Sequence, residues 1–518
     1  MNVVTPKIAF SRFLKLFWLC YIVATPLLHA QDADSVDADL NLPEPVETRT
    51  ARTLGEQIQD YLNRQSAGFT WGVKVQDLAT GEVLFERNAW RALTPASNMK
   101  VFTTAAALDI LGPDYQYRTD LYARGRIKDG VLEGDLFIRG SGDPSFGGEL
   151  DDENNTMPTQ PFFEWANALK NLGINTITGN IIGDDDIFDD MAVGEGWESE
   201  DYNKYYAAQI SGLPLTENMV GIKVRGRGRG LKGEITWEPG NTNYVNIIND
   251  TNRGGGLQRA NHSNTISVRT SVREGREGLW TIPIENPTLM FATVLKETLQ
   301  RTGITVLGEA MDVDSLVEKP NYRSSWQMKV VASHYSSPLK DIVKIINKKS
   351  HNMYAEHLLK TVGAHASWDG IPRPGSAQRG SRAIKEFLRR IGADTEPIII
   401  VDGSGLSRIN KITPAAMVRI LEYMWNHPNP EVRDAFYNSL SIAGIDGTLK
   451  KRMKSYPTMG NVHGKTGFIS NVRSLSGYVQ TMAGTPIAFA LICNGFSSRS
   501  AVTNIQDNIV KLIAKFQR

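Results

Sequence analysis

Three short polar motifs, set far apart along the chain, constrain its fold more than any other feature. They are Ser97-Asn98-Met99-Lys100, Ser350-His351-Asn352 and Lys465-Thr466-Gly467. Together they supply a serine nucleophile, a lysine able to deprotonate it, a hydroxyl relay and a cationic strand that can hold a carboxylate. Each is weak alone, and they act together only if one pocket collects them. Ser350 follows Ser97 by 253 positions. A chain that gathers all three therefore carries one site-bearing domain split by a large insertion.

The first motif opens a helix predicted from Pro95-Ala96-Ser97 to about Leu111, stopped by Gly112-Pro113. A spacing of three places Ser97 and Lys100 on one face, about 5–6 Å apart at Cβ. A lysine kept neutral by burial can take the serine proton, and the helix start offers N–H groups to an oxyanion. Spacing alone does not decide this. Ser337-Pro338-Leu339-Lys340 has the same form, and there Ser337 reads as a cap with Pro338 at the first helical position.

Ser350 and Asn352 lie on a tight connection between amphipathic helices at 340–349 and 353–361. Ser350 can relay a proton, and Asn352 can hold the lysine and a substrate amide. Alone, this reads as a helix–helix turn. His351 between them points elsewhere, and with His357 it lacks metal-ligand spacing, so neither metal nor cofactor is expected. Lys465 and Thr466, in a strand, suit a terminal carboxylate, and Gly467 leaves room for a ligand near the backbone. The N–H of Phe468 can join that of Ser97 as an oxyanion donor.

Other signals are weaker. Asp184-Asp185-Asp186 with Asp189-Asp190 is either a solvated loop or a site for a cationic group. Gly228 to Gly233 matches GxGxxG, but Glu234-Ile235-Thr236-Trp237 reads as strand, so no helix N-terminus awaits a pyrophosphate. Asp402-Gly403-Ser404-Gly405-Leu406-Ser407-Arg408 reads as a turn after a strand at Ile398 to Val401, with Arg408 in a salt bridge.

Residues 1–30 have the form of a secretory signal: Lys7, Arg12 and Lys15, then a mostly apolar run from Leu16 to Leu28, with cleavage after Ala30. The run is short for a bilayer core needing about 20 apolar residues, so no stable membrane span is expected. Without those three cations the formal charge of +1 becomes −2, which gives no case for nucleic acid. Cys20 lies in the signal, leaving Cys493 as a small buried residue of a strand and excluding a disulfide. Residues 31–50 read as an acidic flexible leader. Strands are predicted at about 460–467, 471–481 and 486–494, and a last helix at 501–516.

With these motifs in this order, the chain resembles the class C low-molecular-mass penicillin-binding proteins of the penicillin-binding protein 4 type (peptidase S13 family). These are serine D-Ala-D-Ala carboxypeptidases/endopeptidases. Family-like phrases support the likeness: Leu111-Gly112-Pro113-Asp114-Tyr115, Gly142-Asp143-Pro144, Tyr206-Ala207-Ala208 and Asp402 to Arg408. The resemblance implies an α/β (α+β) transpeptidase/β-lactamase-like domain, a mixed antiparallel sheet flanked by helices, split by an insertion of two β-rich domains. The catalytic domain would span 51–117 and 333–518, the inserted domain 118–215 and 305–332, and a nested β-rich domain 216–304. It implies Ser97 as nucleophile, Lys100 as base and Ser350 as relay. Asn352, Lys465, Thr466, Gly467 and Phe468 would bind substrate, with Asp184, Phe188 and Arg408 against a diaminopimelate side chain. The implied partners are peptidoglycan stem peptides and, as inhibitors, β-lactam antibiotics, in a secreted, periplasmic setting. Two alternatives stay open: a β-lactamase or esterase on the same fold, and a non-catalytic wall-binding protein.

Overall fold

The computed structural model describes residues 52–65, 68–148, 157–228, 230–260, 262–323, 328–366 and 370–517, all within one unit, Arg52–Arg518. The signal and acidic leader read from the sequence lie outside the described residues.

The first part of the site-bearing domain comprises helix α1 (Leu54–Gln65), strands β1 (Thr70–Asp77) and β2 (Val83–Arg87), a 3-10 turn (Ala96–Asn98) and helix α2 (Met99–Leu111). The chain then leaves for the insertion. That region contains β3 (Arg118–Lys128), β4 (Val131–Arg139), α3 (Gln160–Asn171), β5 (Thr176–Ile177) and β6 (Ile181–Asp184). It continues through β7 (Met219–Arg225), β8 (Glu234–Glu238), β9 (Asn246–Asn249), β10 (Gly256–Arg259), β11 (Thr265–Arg269) and β12 (Glu277–Pro283). It closes with α4 (Pro287–Arg301), β13 (Thr305–Val306), β14 (Ala310–Asp312) and β15 (Met328–Tyr335). The return comprises α5 (Leu339–Lys348), α6 (Asn352–His365), α7 (Ala377–Arg390), α8 (Pro414–Trp425) and α9 (Pro430–Ser439). Then come β16 (Ser441–Ile442), β17 (His463–Ile469), β18 (Val472–Gln480), β19 (Pro486–Asn494) and α10 (Arg499–Lys515).

Strands β16-β17-β18-β19-β1-β2 form one antiparallel sheet in that order, so strands from both ends of the chain lie side by side. Alternation along β19 explains its two faces. Ile487, Phe489, Leu491 and Cys493 join Trp71, Val73 and Val75 under α1 and α10. Ala488, Ala490 and Ile492 face the helical layer of α2 and α5 to α9. The small alanines let α8 approach the strand. With a period of two, a one-residue slip would exchange these faces. Each large side chain buried here contributes roughly 1.5–3 kcal/mol. Helix α2 is buried from Met99 through Leu108, as befits a central helix without a polar face, and it ends at Gly112, φ 84°.

The insertion leaves and re-enters at adjacent points. Strand β15 pairs antiparallel with β3, Tyr335 opposite Arg118, so splitting the chain here does not separate its flanks. The main inserted sheet runs β13-β5-β4-β3-β15, with β6 joining β4 to β14. Two small sheets, β12-β7-β8 and β10-β11-β9, occupy residues 219–283. Helix α4 packs on the main inserted sheet, against β6 and β14.

Three local expectations change. The Ile398–Val401 run forms no strand; only Ile399 bridges Lys411, because the Val401 and Asp402 N–H groups are taken by the Asn410 side chain. Helix α5 begins at Leu339 with Pro338 in the cap position and no side-chain cap, so Ser337 does not cap it. Ser97 lies in a 3-10 turn ahead of the α-helix. Among the described residues, no helix is long and apolar enough to cross a membrane.

Candidate active site

Ser97 is presented by a turn stitched to the sheet. The Asn98 side chain donates to the Lys465 carbonyl (2.9 Å) and accepts from Ser476 (2.7 Å), while Ser474 donates to the Pro95 carbonyl (2.6 Å). The preceding Ala96 has φ 48°, a left-handed conformation that a non-glycine residue holds only when its surroundings enforce it. Gly467 lies against this turn. A Cβ there would sit 2.2 Å from Ser474 Oγ and 3.0 Å from Ser97 N.

Lys100, the second residue of α2, is wholly buried. Its Nζ lies 3.2 Å from Ser97 Oγ, 2.7 Å from Asn352 Oδ1 and 2.7 Å from the Ser404 carbonyl. Burial pulls its pKa down from 10.5 to about 7, against the opposing charges of Glu356 and Asp402. Both carboxylates are anchors. Glu356, one turn along α6 from Asn352, accepts the N–H groups of Gly403 and Ser404 (both 2.8 Å). Asp402 accepts from Gly405 N (2.7 Å), Ser407 N (2.6 Å), Asn410 (2.7 Å) and Trp197 (3.1 Å). They shape the 402–408 turn so that the Ser404 carbonyl faces Lys100. Burial also raises Glu356 to about 7, with Asp402 adding to the shift.

Ser350 has φ 60°, and its hydroxyl accepts from Lys465 Nζ at 2.8 Å. Lys465 is fully buried and is held well below the usual lysine range, by burial and then by the charge of Lys100. Thr466 pairs with Thr448 (2.8 Å). The Asn352 amide donates to the Tyr206 carbonyl of the insertion (2.8 Å).

Ser97, Ser350, Asn352, Thr466, Gly467, Phe468 and Arg408 line one cleft of about 1340 Å³, whose other wall includes Tyr206, Glu217 and Leu279 of the insertion. Arg408 sits at its rim, on Glu198 (3.3 Å) and the Ser470 carbonyl (2.9 Å).

Asp184 and Phe188 are not among the residues that line this cleft. Asp184 ends β6, is 4% exposed, and accepts from the Tyr322 hydroxyl and from Asp186 N. Phe188 is 3% exposed, edge-on to His357 at 5.6 Å. Nor is the acidic cluster a free solvated loop. Asp185 accepts from Thr288 and Ser211, Asp186 meets Lys319, and Asp189 meets Lys360.

Sequence reasoning missed Glu356, Asn98, Thr448 and Glu217. Glu356 was within reach, since a spacing of four from Asn352 puts it on the same helix face. His351 does not point away from the site: it lines the cleft.

A buried lysine is turned on a serine, and a second buried lysine stands two residues before Gly467 on the adjoining strand β17. The comparisons give the lineage: the chain belongs to the D-Ala-D-Ala carboxypeptidase 3 (S13) family, whose model matches residues 54–516. It is 30% identical over 475 residues to a D-alanyl-D-alanine carboxypeptidase of Actinomadura sp. (strain R39), covering 87% of this chain and 82% of that protein. It is 26% identical to the D-alanyl-D-alanine carboxypeptidase DacB of Haemophilus influenzae, covering 85% and 88%. The crystal structure of penicillin binding protein 4 (dacB) from H. influenzae superposes with a TM-score of 0.74 at 25% identity, covering 89% of this chain and 99% of that one. The fold is accordingly a transpeptidase-like domain with added β-rich domains.

Proposed function

We propose that this S13-family carboxypeptidase is a serine DD-peptidase acting on peptidoglycan stem peptides through an acyl-enzyme on Ser97. One observation carries the reading: how the Lys100 amine spends its hydrogens. A neutral amine has two N–H bonds and one lone pair. Two of the three partners, Asn352 Oδ1 and the Ser404 carbonyl, only accept. They take both N–H bonds, and the lone pair is left for the Ser97 hydroxyl. Burial supplies the neutral form near pH 7.

In the proposed reaction Ser97 Oγ attacks the carbonyl of the penultimate D-residue as its proton passes to Lys100. The N–H groups of Ser97 and Phe468 hold the oxyanion. Lys465 and Thr466 hold the substrate carboxylate, and Gly467 leaves the space for it. As the C–N bond breaks, the departing amine takes the proton back through Lys100 and Ser350. Water then hydrolyses the ester. A D-alanine leaving group makes the reaction a carboxypeptidase step, and a cross-linked diaminopimelate makes it an endopeptidase step. Both leaving groups carry a carboxylate beside the amine, so one site serves both. Penicillin would acylate the same serine; the H. influenzae relative's name as a penicillin-binding protein supports this. Of the three side-chain contacts implied by resemblance, Arg408 alone lines the cleft. The pattern of residues 1–30 supports secretion to the periplasm.

The test is release of D-alanine from a stem pentapeptide, and cleavage of a D-Ala-diaminopimelate cross-linked dimer, by the parent and by Ser97→Ala. Loss of both in Ser97→Ala is expected. Undiminished release by Ser97→Ala would overturn the reading, and a parent that leaves the dimer intact would remove its endopeptidase half.

A further inference from the structure

The second motif is gripped from outside the catalytic domain. Besides the Tyr206 carbonyl on Asn352, the insertion sends Glu217 to His351, with Oε2 3.0 Å from Nε2. Glu217 is 7% exposed and is delivered by an unusual backbone. Thr216, Glu217 and Asn218 all have left-handed φ (48°, 58° and 57°), although none is glycine. L-residues adopt this conformation as singletons, and a run of three must be enforced. The enforcement is visible: Thr216 N donates to the Phe146 carbonyl (3.0 Å), Thr216 Oγ1 to the Met219 carbonyl (2.7 Å), and Asn218 Nδ2 to the Gln209 carbonyl (2.7 Å). The strained turn places a carboxylate at the cleft wall, against the residue between Ser350 and Asn352.

His351 is held on three sides. Its Nδ1 accepts Tyr354 N (3.5 Å), capping α6; its ring packs on Tyr354 (4.4 Å between centroids); and Nε2–H is left for Glu217. The backbone turns sharply here, from left-handed at Ser350 to extended at His351 and helical at Asn352. Fixing the imidazole therefore fixes where both neighbours point, Ser350 Oγ at Lys465 and Asn352 Oδ1 at Lys100.

We propose that Glu217 is a positioning residue for the acylation step, acting through His351 on Ser350 and Asn352, so that the insertion completes the catalytic site. The inference rests on the serine acyl-transfer reading above.

The test is stopped-flow acylation of the full chain by a fluorescent penicillin, resolving the acylation rate constant from the dissociation constant of the initial complex. A displacement of about 1 Å in a catalytic group costs as much as a hundredfold. Glu217→Ala is thus expected to slow acylation roughly ten- to a hundredfold, with the dissociation constant changed less than about threefold. Glu217→Gln, whose amide oxygen still accepts from Nε2–H, should recover most of the loss. His351→Ala should match Glu217→Ala, and the double variant should be no slower than the worse single one. A folded Glu217→Ala protein acylating at the parent rate would overturn the proposal, and so would equal losses in Glu217→Ala and Glu217→Gln. Should Glu217→Ala fail to fold, His351→Ala decides, with the parent rate again the overturning result. A parent chain that penicillin never labels would instead sink the acyl-transfer reading.

Discussion

If Lys100 is the base, the acylation rate must follow its neutral fraction. With a pKa of about 7, that fraction is ~0.1 at pH 6 and ~0.9 at pH 8. The rate constant should therefore rise roughly tenfold between those pH values and then level off. An ordinary lysine at 10.5 would give a different curve. It would rise tenfold per pH unit with no plateau through pH 9, and its neutral fraction at pH 8 would be only ~0.003. The glutamate anchor supplies the control. Glu356 raises the Lys100 value by its charge, so Glu356→Gln moves the acid limb to lower pH. Glu356 itself is pushed up to about 7 by burial and Asp402, so it shares the titration of this limb with Lys100. The sign survives this coupling, because burial favours the uncharged amine. The assay is acylation by a fluorescent penicillin from pH 5.5 to 9, with the fold monitored by circular dichroism at each pH. A log-linear rise through pH 9, or a rate independent of pH, would refute the role given to Lys100.

Other outcomes follow from the same geometry. Gly467→Ala puts a methyl 2.2 Å from Ser474 Oγ and 2.8 Å from the Pro95 carbonyl; the strand must move off the Ser97 turn, and acylation should fall at least tenfold in a protein that remains folded by circular dichroism. Asn98→Ala leaves the Lys465 carbonyl and the Ser476 hydroxyl without their buried partner; it should cost ~1–3 kcal/mol in denaturant unfolding and slow acylation as well. Asp184→Ala orphans the Tyr322 hydroxyl and should lower stability by a similar ~1–3 kcal/mol. It should also leave unchanged the preference between substrates with and without a free side-chain amine; a selective loss on the amine-bearing substrate would restore Asp184 to recognition. Arg408→Ala, at the cleft rim, should raise KM for stem peptides more than it lowers kcat.

What the sequence made legible follows physical pattern. The unbroken apolar run from Ile487 to Cys493 suits the predicted strand at 486–494 to burial on both faces, between two layers. Gly112-Pro113 stops α2 where the backbone turns to φ 84°. The three motifs read from the sequence lie together in the fold, Lys100 Nζ 3.2 Å from Ser97 Oγ and 2.7 Å from Asn352 Oδ1, and Lys465 Nζ 2.8 Å from Ser350 Oγ. What stayed hidden depends on contacts between distant segments. Lys340, in the decoy Ser-x-x-Lys, differs from Lys100 only in environment: it pairs with Asp114 at 2.7 Å on the surface, half exposed. The apolar run 398–401 resembles a strand, yet the side chain of Asn410 captures its final N–H groups. Asp184 and Phe188 came from likeness to a family, and their burial in the insertion is a tertiary fact that no local pattern carries. Thr216-Glu217-Asn218 holds no glycine to advertise a left-handed run.

The central claim is that Ser97 is the acylated nucleophile, and covalent mapping tests it most directly. After incubation with penicillin, digestion and mass spectrometry should place one adduct on the peptide containing Ser97, absent in Ser97→Ala. An adduct on another residue, or one that persists in Ser97→Ala, would contradict the account.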